Sequence, residues 1–163
     1  MTRNPDDYRP NVGAAIFNDK GQIWLGKRFG EEGPYAWQCA QGGIDEGEDF
    51  YQAALRELWE ETGVRENNLT LLGQIDDWLY YDFTEGARLN RRKREHKGQR
   101  QKWFAFRYHG DESDIDLCTH EEQEFSEWKW ADLSTIHESV IPFKREVYER
   151  LIAEFAPYAR PQP

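Results

Sequence analysis

Glu57, Glu60 and Glu61 are spaced i, i+3 and i+4. At about 100° per residue, a helix brings such positions into one arc. Carboxylates grouped this way are hard oxygen ligands for a divalent cation. A cation held there neutralises phosphate charge and lowers the pKa of a bound water, which is the chemistry of metal-assisted hydrolysis. A solvated acidic face is the rival reading of any such cluster. Two points weigh against it. Like charges at i, i+4 destabilise a helix by a few tenths of a kcal/mol. The cluster also sits in the last helical turn, where the macrodipole disfavours anions. Arg56 adjoins the cluster and can orient a carboxylate through a bidentate pair. Gly42 and Gly43 precede it and permit close approach of a ligand to the backbone. Glu48 adds a fourth carboxylate near the helix start.

The elements that must carry these residues are readable from pattern. Glu48–Thr62 reads as a helix, with Tyr51, Ala54, Leu55 and Leu58 as its core face and Gly63 as its stop. Val12–Phe17 and Gln22–Gly26 read as a strand hairpin around Asn18–Gly21. Phe29–Tyr35 reads as a loop, and Ala36–Ala40 as a short strand ending at Gly42 and Gly43. Leu69–Tyr81 is expected to form one or two strands, Phe83–Gln99 a polar loop, and Gln101–Tyr108 and Glu127–Trp130 two further strands. Phe143–Phe155 is an amphipathic helix with Val147, Leu151, Ile152 and Phe155 on its apolar side. The tail from about residue 157 reads as loose. This is one α/β (α+β) domain spanning residues 1–163, without repeat or linker.

The run from Gly42 to Val64 resembles the Nudix box, G-x5-E-x7-R-E-U-x-E-E-x-G-U, where U is aliphatic. Gly42, Glu48, Arg56, Glu57, Leu58, Glu60, Glu61, Gly63 and Val64 fill its nine fixed positions. The resemblance implies an α/β/α sandwich with a mixed sheet between helices. It implies hydrolysis of nucleoside diphosphate linkages with Mg2+ or Mn2+, more than one ion per site. Glu57, Glu60 and Glu61 match the metal ligands, and Gly42 matches a glycine whose carbonyl joins them. Glu57, Glu60 and Arg56 are the catalytic candidates, with Glu57 as base or co-ligand. Tyr8–Gly13, Gly98–Phe104, Glu124-Phe125, Trp128–Trp130 and Phe143–Arg145 resemble the branch acting on 5′-triphosphate RNA ends and on dinucleoside polyphosphates. That likeness gives Arg9 and Arg28 phosphate contacts, with Gln99 and Lys102 doing the same from the opposite strand. It gives Tyr81 and Phe143 aromatic faces for a base, Lys144 a substrate contact, and Glu124 a further metal-ligand or base role. For these residues the alternatives are core packing, surface charge or structural ion pairing.

One stretch departs from the branch. Trp37-Gln38-Cys39-Ala40-Gln41 has Cys39 and Ala40 where a large apolar residue and proline are usual, which implies a wider pocket and a more mobile loop. No basic partner marks Cys39 as a nucleophile.

Composition bounds the rest. The chain has 163 residues, 15% aromatic, with a net charge of −10. That balance excludes a disordered chain and argues against stable DNA binding. Arg88, Arg91, Arg92, Lys93, Arg94, Lys97, Arg100 and Lys102 nevertheless concentrate eight positive charges opposed only by Glu95. That segment is either a solvated counterweight or a guide for a polyanion. No apolar run reaches the roughly 20 residues of a membrane span. The N-terminus carries no signal-peptide pattern. Two isolated cysteines, Cys39 and Cys118, suit a reducing compartment, with the cytoplasm and a monomer as defaults.

Overall fold

Strand β1 (Tyr8–Phe17) is the axis of the molecule. Its residues alternate between two buried layers. Val12, Ala14 and Ile16 join one apolar cluster, while Ala15 and Phe17 join the other. A strand buried on both faces needs a continuous apolar run, and this one has it. In the computed structural model, which describes residues 3–84 and 96–163, β1 pairs in parallel with β6 (Gly98–Tyr108). Its other edge pairs antiparallel with β4 (Ala40–Gly43) and then with β2 (Ile23–Arg28). β3 (Trp37–Gln38) and β7 (Phe125–Ala131) extend the sheet from β2. β5 (Leu69–Asp82) pairs with β6 and is irregular between Leu71 and Gly73 and between Ile75 and Leu79.

Helix α1 (Phe50–Thr62) covers one face through Ala53, Ala54 and Leu58, which meet Val12, Ile16, Phe104 and Phe106. The short α2 (Ile136–Ser139) and α3 (Arg145–Phe155) cover the other through Ile136, Tyr148, Leu151 and Phe155, which meet Phe17, Leu25 and Trp103. The result is the expected mixed sheet between helices.

The helix boundaries shift for local reasons. Asp49, not Glu48, caps α1, its carboxylate accepting from the Gln52 amide at 2.7 Å. Glu48 lies before the helix and is released to pair with Arg56. At the other end Gly63 takes φ 73°, and its N–H bonds the Trp59 carbonyl. Pro142–Lys144 forms a 3-10 turn before α3, so Phe143 and Lys144 precede the helix proper. Leu69–Asp82 is one strand, while the expected strand at Ala36–Ala40 becomes two, β3 and β4.

The stretch expected to be loose is packed down instead. Tyr158 meets Phe17 and Phe155, the Arg107 guanidinium donates to the Tyr158 carbonyl at 3.1 Å, and the Gln162 amide donates to the Asp19 carbonyl. The Tyr158 ring, three residues past the helix, anchors it. Most of the expected basic loop, including Arg88, Arg91, Arg92, Lys93 and Arg94, lies outside the described residues.

Leu58 sits fully buried between the carboxylates of α1 and the sheet. Leu58→Ala should destabilise the fold by about 2–5 kcal/mol, the range for truncating a buried leucine. Chemical denaturation measures this, and a loss well under about 1 kcal/mol would contradict the packing described.

Candidate active site

A cavity of about 770 Å³ opens where β4, the end of α1 and the loop before β7 meet. Glu57, Glu60, Glu61 and Glu124 line one part of it, with Gly42. Arg9, Arg28 and Lys144 also line it, as do Tyr81 and Phe143, and two further acids, Glu31 and Glu122. Most of the residues expected from the sequence thus lie around one cavity, acids and bases together.

The acids are organised by Arg56. Its Nε and Nη2 grip both oxygens of Glu48, each at 2.9 Å. Nη2 also donates to the Gly43 carbonyl at 2.8 Å, which ties α1 to β4. Nη1 reaches Glu57 at 2.9 Å and Glu60 at 3.2 Å. The Arg56 hydrogen bond holds the Glu48 carboxyl below its ordinary pKa. Arg56 is therefore a positioning residue. Its guanidinium is fully engaged with protein groups and does not line the cavity.

Glu61 is only 6% exposed, and its carboxylate accepts the Gln41 amide at 3.2 Å. Burial raises its pKa well above the usual range, and the charges of Glu57 and Glu124 raise it further. Burial raises Glu57 as well, although Arg56 pulls it back. Glu57 and Glu61 share a side-chain hydrogen bond. Like charges crowded in a dry site are unfavourable unless a proton or a cation joins them. That repulsion fits a divalent cation. Among the described residues no group of acids is already drawn into a metal-ligand arrangement, because Glu57 and Glu60 turn to Arg56 and Glu61 to Gln41. Gly42 keeps the space open: a Cβ there would lie 2.0 Å from the Glu57 carboxyl carbon.

Among the cations, Lys144 is 7% exposed, and its ammonium donates to Gln38 at 2.9 Å and Gln41 at 3.3 Å. Arg28 donates to the Tyr35 carbonyl at 3.1 Å and lies 3.9 Å from Glu31.

Four expectations need correction. Tyr81 and Phe143 are not two open faces: their rings stack on each other, centroids 5.6 Å apart, and Tyr81 is buried. Burial raises the pKa of the Tyr81 hydroxyl, which accepts from Gln41. Phe83 adds an edge to both rings. Lys102 does not line this cavity. It stands three residues from Gln99, and the two-residue period of a strand puts such positions on opposite faces. Its ammonium donates to the Asp76 carbonyl on the α1 side. Gln99 is buried in register beside Arg9, and neither side-chain polar atom has a hydrogen-bond partner among the described residues. It is likewise absent from the lining. Finally, Cys39 and Ala40 do not widen the pocket. Both are fully buried, one in each apolar cluster, and Ala40 is held in β4 opposite Ala14. Burial pushes the Cys39 thiol up to about 12, so it is no nucleophile.

Sequence reasoning missed Gln38, Gln41, Phe83 and His120 as cavity residues. The two glutamines carried a signal, since amides three apart within an otherwise apolar stretch must find buried partners.

Comparison with known proteins agrees with this geometry. Residues 7–151 match the NUDIX domain. The chain is 47% identical to an RNA pyrophosphohydrolase of Caulobacter vibrioides, over 94% of this chain and 88% of the relative. It is also 47% identical to one of Azorhizobium caulinodans, over 98% and 99%. Among solved structures it resembles a C. elegans Ap4A hydrolase (TM-score 0.61, 21% identity, 90% and 98% covered). It also resembles the E. coli dihydroneopterin triphosphate pyrophosphohydrolase (TM-score 0.64, 18% identity, 90% and 97% covered). At that identity the structures speak for the fold, while the sequence matches and the filled box speak for descent: the chain belongs to the Nudix family.

Proposed function

We propose that this protein is a pyrophosphohydrolase that removes pyrophosphate from the 5′-triphosphate end of RNA, using Mg2+ or Mn2+. The observation that carries the reading is that one cavity gathers the carboxylates Glu57, Glu60, Glu61 and Glu124 together with the cations Arg9, Arg28 and Lys144. A triphosphate needs both: cations for its oxygens, and carboxylates that would hold a metal to neutralise its charge. The names of its relatives at 47% identity support the RNA substrate. Two cysteines outside any disulfide suit the cytoplasm.

Glu57, Glu60 and Glu61 would hold the metal, with Glu124 and the Gly42 carbonyl beside them. When bound, the metal supplies charge neutralisation and a more acidic water. Arg9, Arg28 and Lys144 bind the phosphate oxygens and fix the chain of phosphates beside the carboxylates. A Glu57 oxygen takes the proton of the attacking water. The water oxygen bonds to phosphorus, one anhydride P–O bond breaks, and the products are pyrophosphate and a 5′-monophosphate end. Phe143 and Phe83 shape the apolar border of the cavity, where a base would rest. Arg56 keeps Glu57 and Glu60 aligned throughout.

Glu57→Gln should lower kcat on 5′-triphosphate RNA by about 10²–10⁴-fold, the span of general-base and ligand losses, while its melting temperature falls little. A pyrophosphate-release assay reads this, with diadenosine tetraphosphate as a parallel substrate. Undiminished turnover in the variant defeats the mechanism, and wild-type inactivity on RNA defeats the substrate.

A second test uses pH. Burial raises both the Glu57 and the Glu61 carboxyls, and repulsion adds to it, from Glu60 on Glu57 and from Glu57 and Glu124 on Glu61. In the metal-free protein these groups hold protons in the folded state that the unfolded chain has lost. Their contribution to stability is therefore present at low pH and lost as pH rises through the folded values. Mg2+ must displace those protons. The rise in melting temperature on adding Mg2+ should thus be largest in mildly alkaline buffer and shrink as pH falls, and Glu61→Gln should abolish most of it. A Mg2+ effect equal at all pH values would place the metal elsewhere.

A further inference from the structure

A second groove, about 580 Å³, lies on the α1 face of the sheet. Arg9, Ile44, Phe50, Trp78, His96 and Arg100 are among its walls. Its chemistry differs from that of the first cavity. The Arg100 guanidinium carbon is 4.1 Å from the centroid of the Trp78 ring, and the Lys102 ammonium is 4.9 Å from it. Phe50 meets Trp78 edge-on at 5.3 Å and is itself exposed.

The polar atoms here are poorly matched by the protein. Among the described residues neither Arg100 nor Lys102 has a carboxylate within ion-pair distance. Arg100 Nε and His96 Nδ1 are buried and make no hydrogen bond among the described residues. The acids at the groove's other edge, Asp45 and Glu48, are already engaged by Arg56. Cations without a carboxylate partner among the described residues, set on an indole platform, suit a ligand that is both aromatic and anionic.

The groove also adjoins the catalytic cavity at one shared residue. Arg9 lines both. Its Nη2 lies over Gly43, where a Cβ would sit 2.3 Å away. A chain whose first phosphates lay against Arg9 from one side would leave across it into this groove.

We propose that this groove is a subsite for the RNA chain downstream of the 5′ end, in which the Trp78–Arg100 platform takes a base and the cations of Arg100 and Lys102 face its phosphodiester. The inference rests on the RNA reading above. RNA is favoured over the far nucleoside of a dinucleoside polyphosphate because that nucleoside is terminal: beyond its base and ribose it offers no further phosphate for these cations. The assignment also gives Lys102 a place: it meets substrate further along the chain and not at the scissile phosphates.

The test compares kcat/KM on a short 5′-triphosphate RNA, a single nucleoside triphosphate and diadenosine tetraphosphate, for the wild type, Trp78→Ala, Trp78→Phe and Arg100→Gln. Loss of one stacked base should lower kcat/KM on the RNA by about ten-fold in Trp78→Ala, through KM. Arg100→Gln should act in the same direction, and Trp78→Phe should retain most of the activity. The two small substrates should be cleaved as before by all variants. That control also shows that Trp78→Ala is folded; if it is not, Arg100→Gln and Trp78→Phe carry the test. The RNA penalty should shrink as salt rises. RNA turnover unchanged in Trp78→Ala and Arg100→Gln overturns the groove alone. An equal loss on diadenosine tetraphosphate overturns its assignment to RNA. Wild-type failure on RNA with activity on diadenosine tetraphosphate overturns the substrate reading, and the groove's role with it.

Discussion

The guanidinium of Arg56 is the contact on which the site depends. One planar group reaches Glu48, Glu57, Glu60 and the Gly43 carbonyl. It binds the loop before the helix, the helix itself and strand β4 into a single rigid body. An arginine suits this because its fork supplies several donors in fixed directions, whereas a lysine supplies one point charge. The arrangement also holds Glu57 and Glu60 side by side against one guanidinium, so a cation would have to draw their oxygens away from it.

The sequence already contained the fold in outline and the acids of the site almost completely. The strand and helix periods of Val12–Phe17 and Tyr51–Leu58 identify the core, and the box residues are fixed by spacing within one helix. The cations were harder. They come from β1, β2 and the turn before α3, so no local period links them. Lys102 shows the cost of ignoring strand parity, since a face assignment fails for residues an odd number apart. Tyr81 and Phe143 show another limit. Each is suited to stacking on a base, but only the folded structure reveals that they stack on each other. Cys39 and Ala40 belong to the same class: their location beneath the pocket, in the two cores, is a tertiary fact.

The two cavities share one principle with opposite emphasis. In the first, acids are concentrated against burial and repulsion, a cost that a cation can remove. In the second, cations stand on an aromatic face, and the acids across the groove, Asp45 and Glu48, are paired with Arg56. Arg9 sits between them and belongs to both. The acidic surface of the protein, with a net charge of −10, makes these local positive regions stand out for a polyanion approaching from solution.

The parallel pairing of β1 with β6 has a temporal consequence. Tyr8 lies opposite Gly98, and Arg9 opposite Gln99. Contacts so distant along the chain close late, because loop-closure entropy is spent before they form. On a ribosome the amino-terminal strand must wait for the second half of the protein to emerge. Arg9 and Arg28 leave the ribosome before the helix with its glutamates, whereas Glu124 and Lys144 leave after it. During synthesis the chain therefore carries both signs of the site in part, and the cavity is complete only when the turn before α3 has emerged.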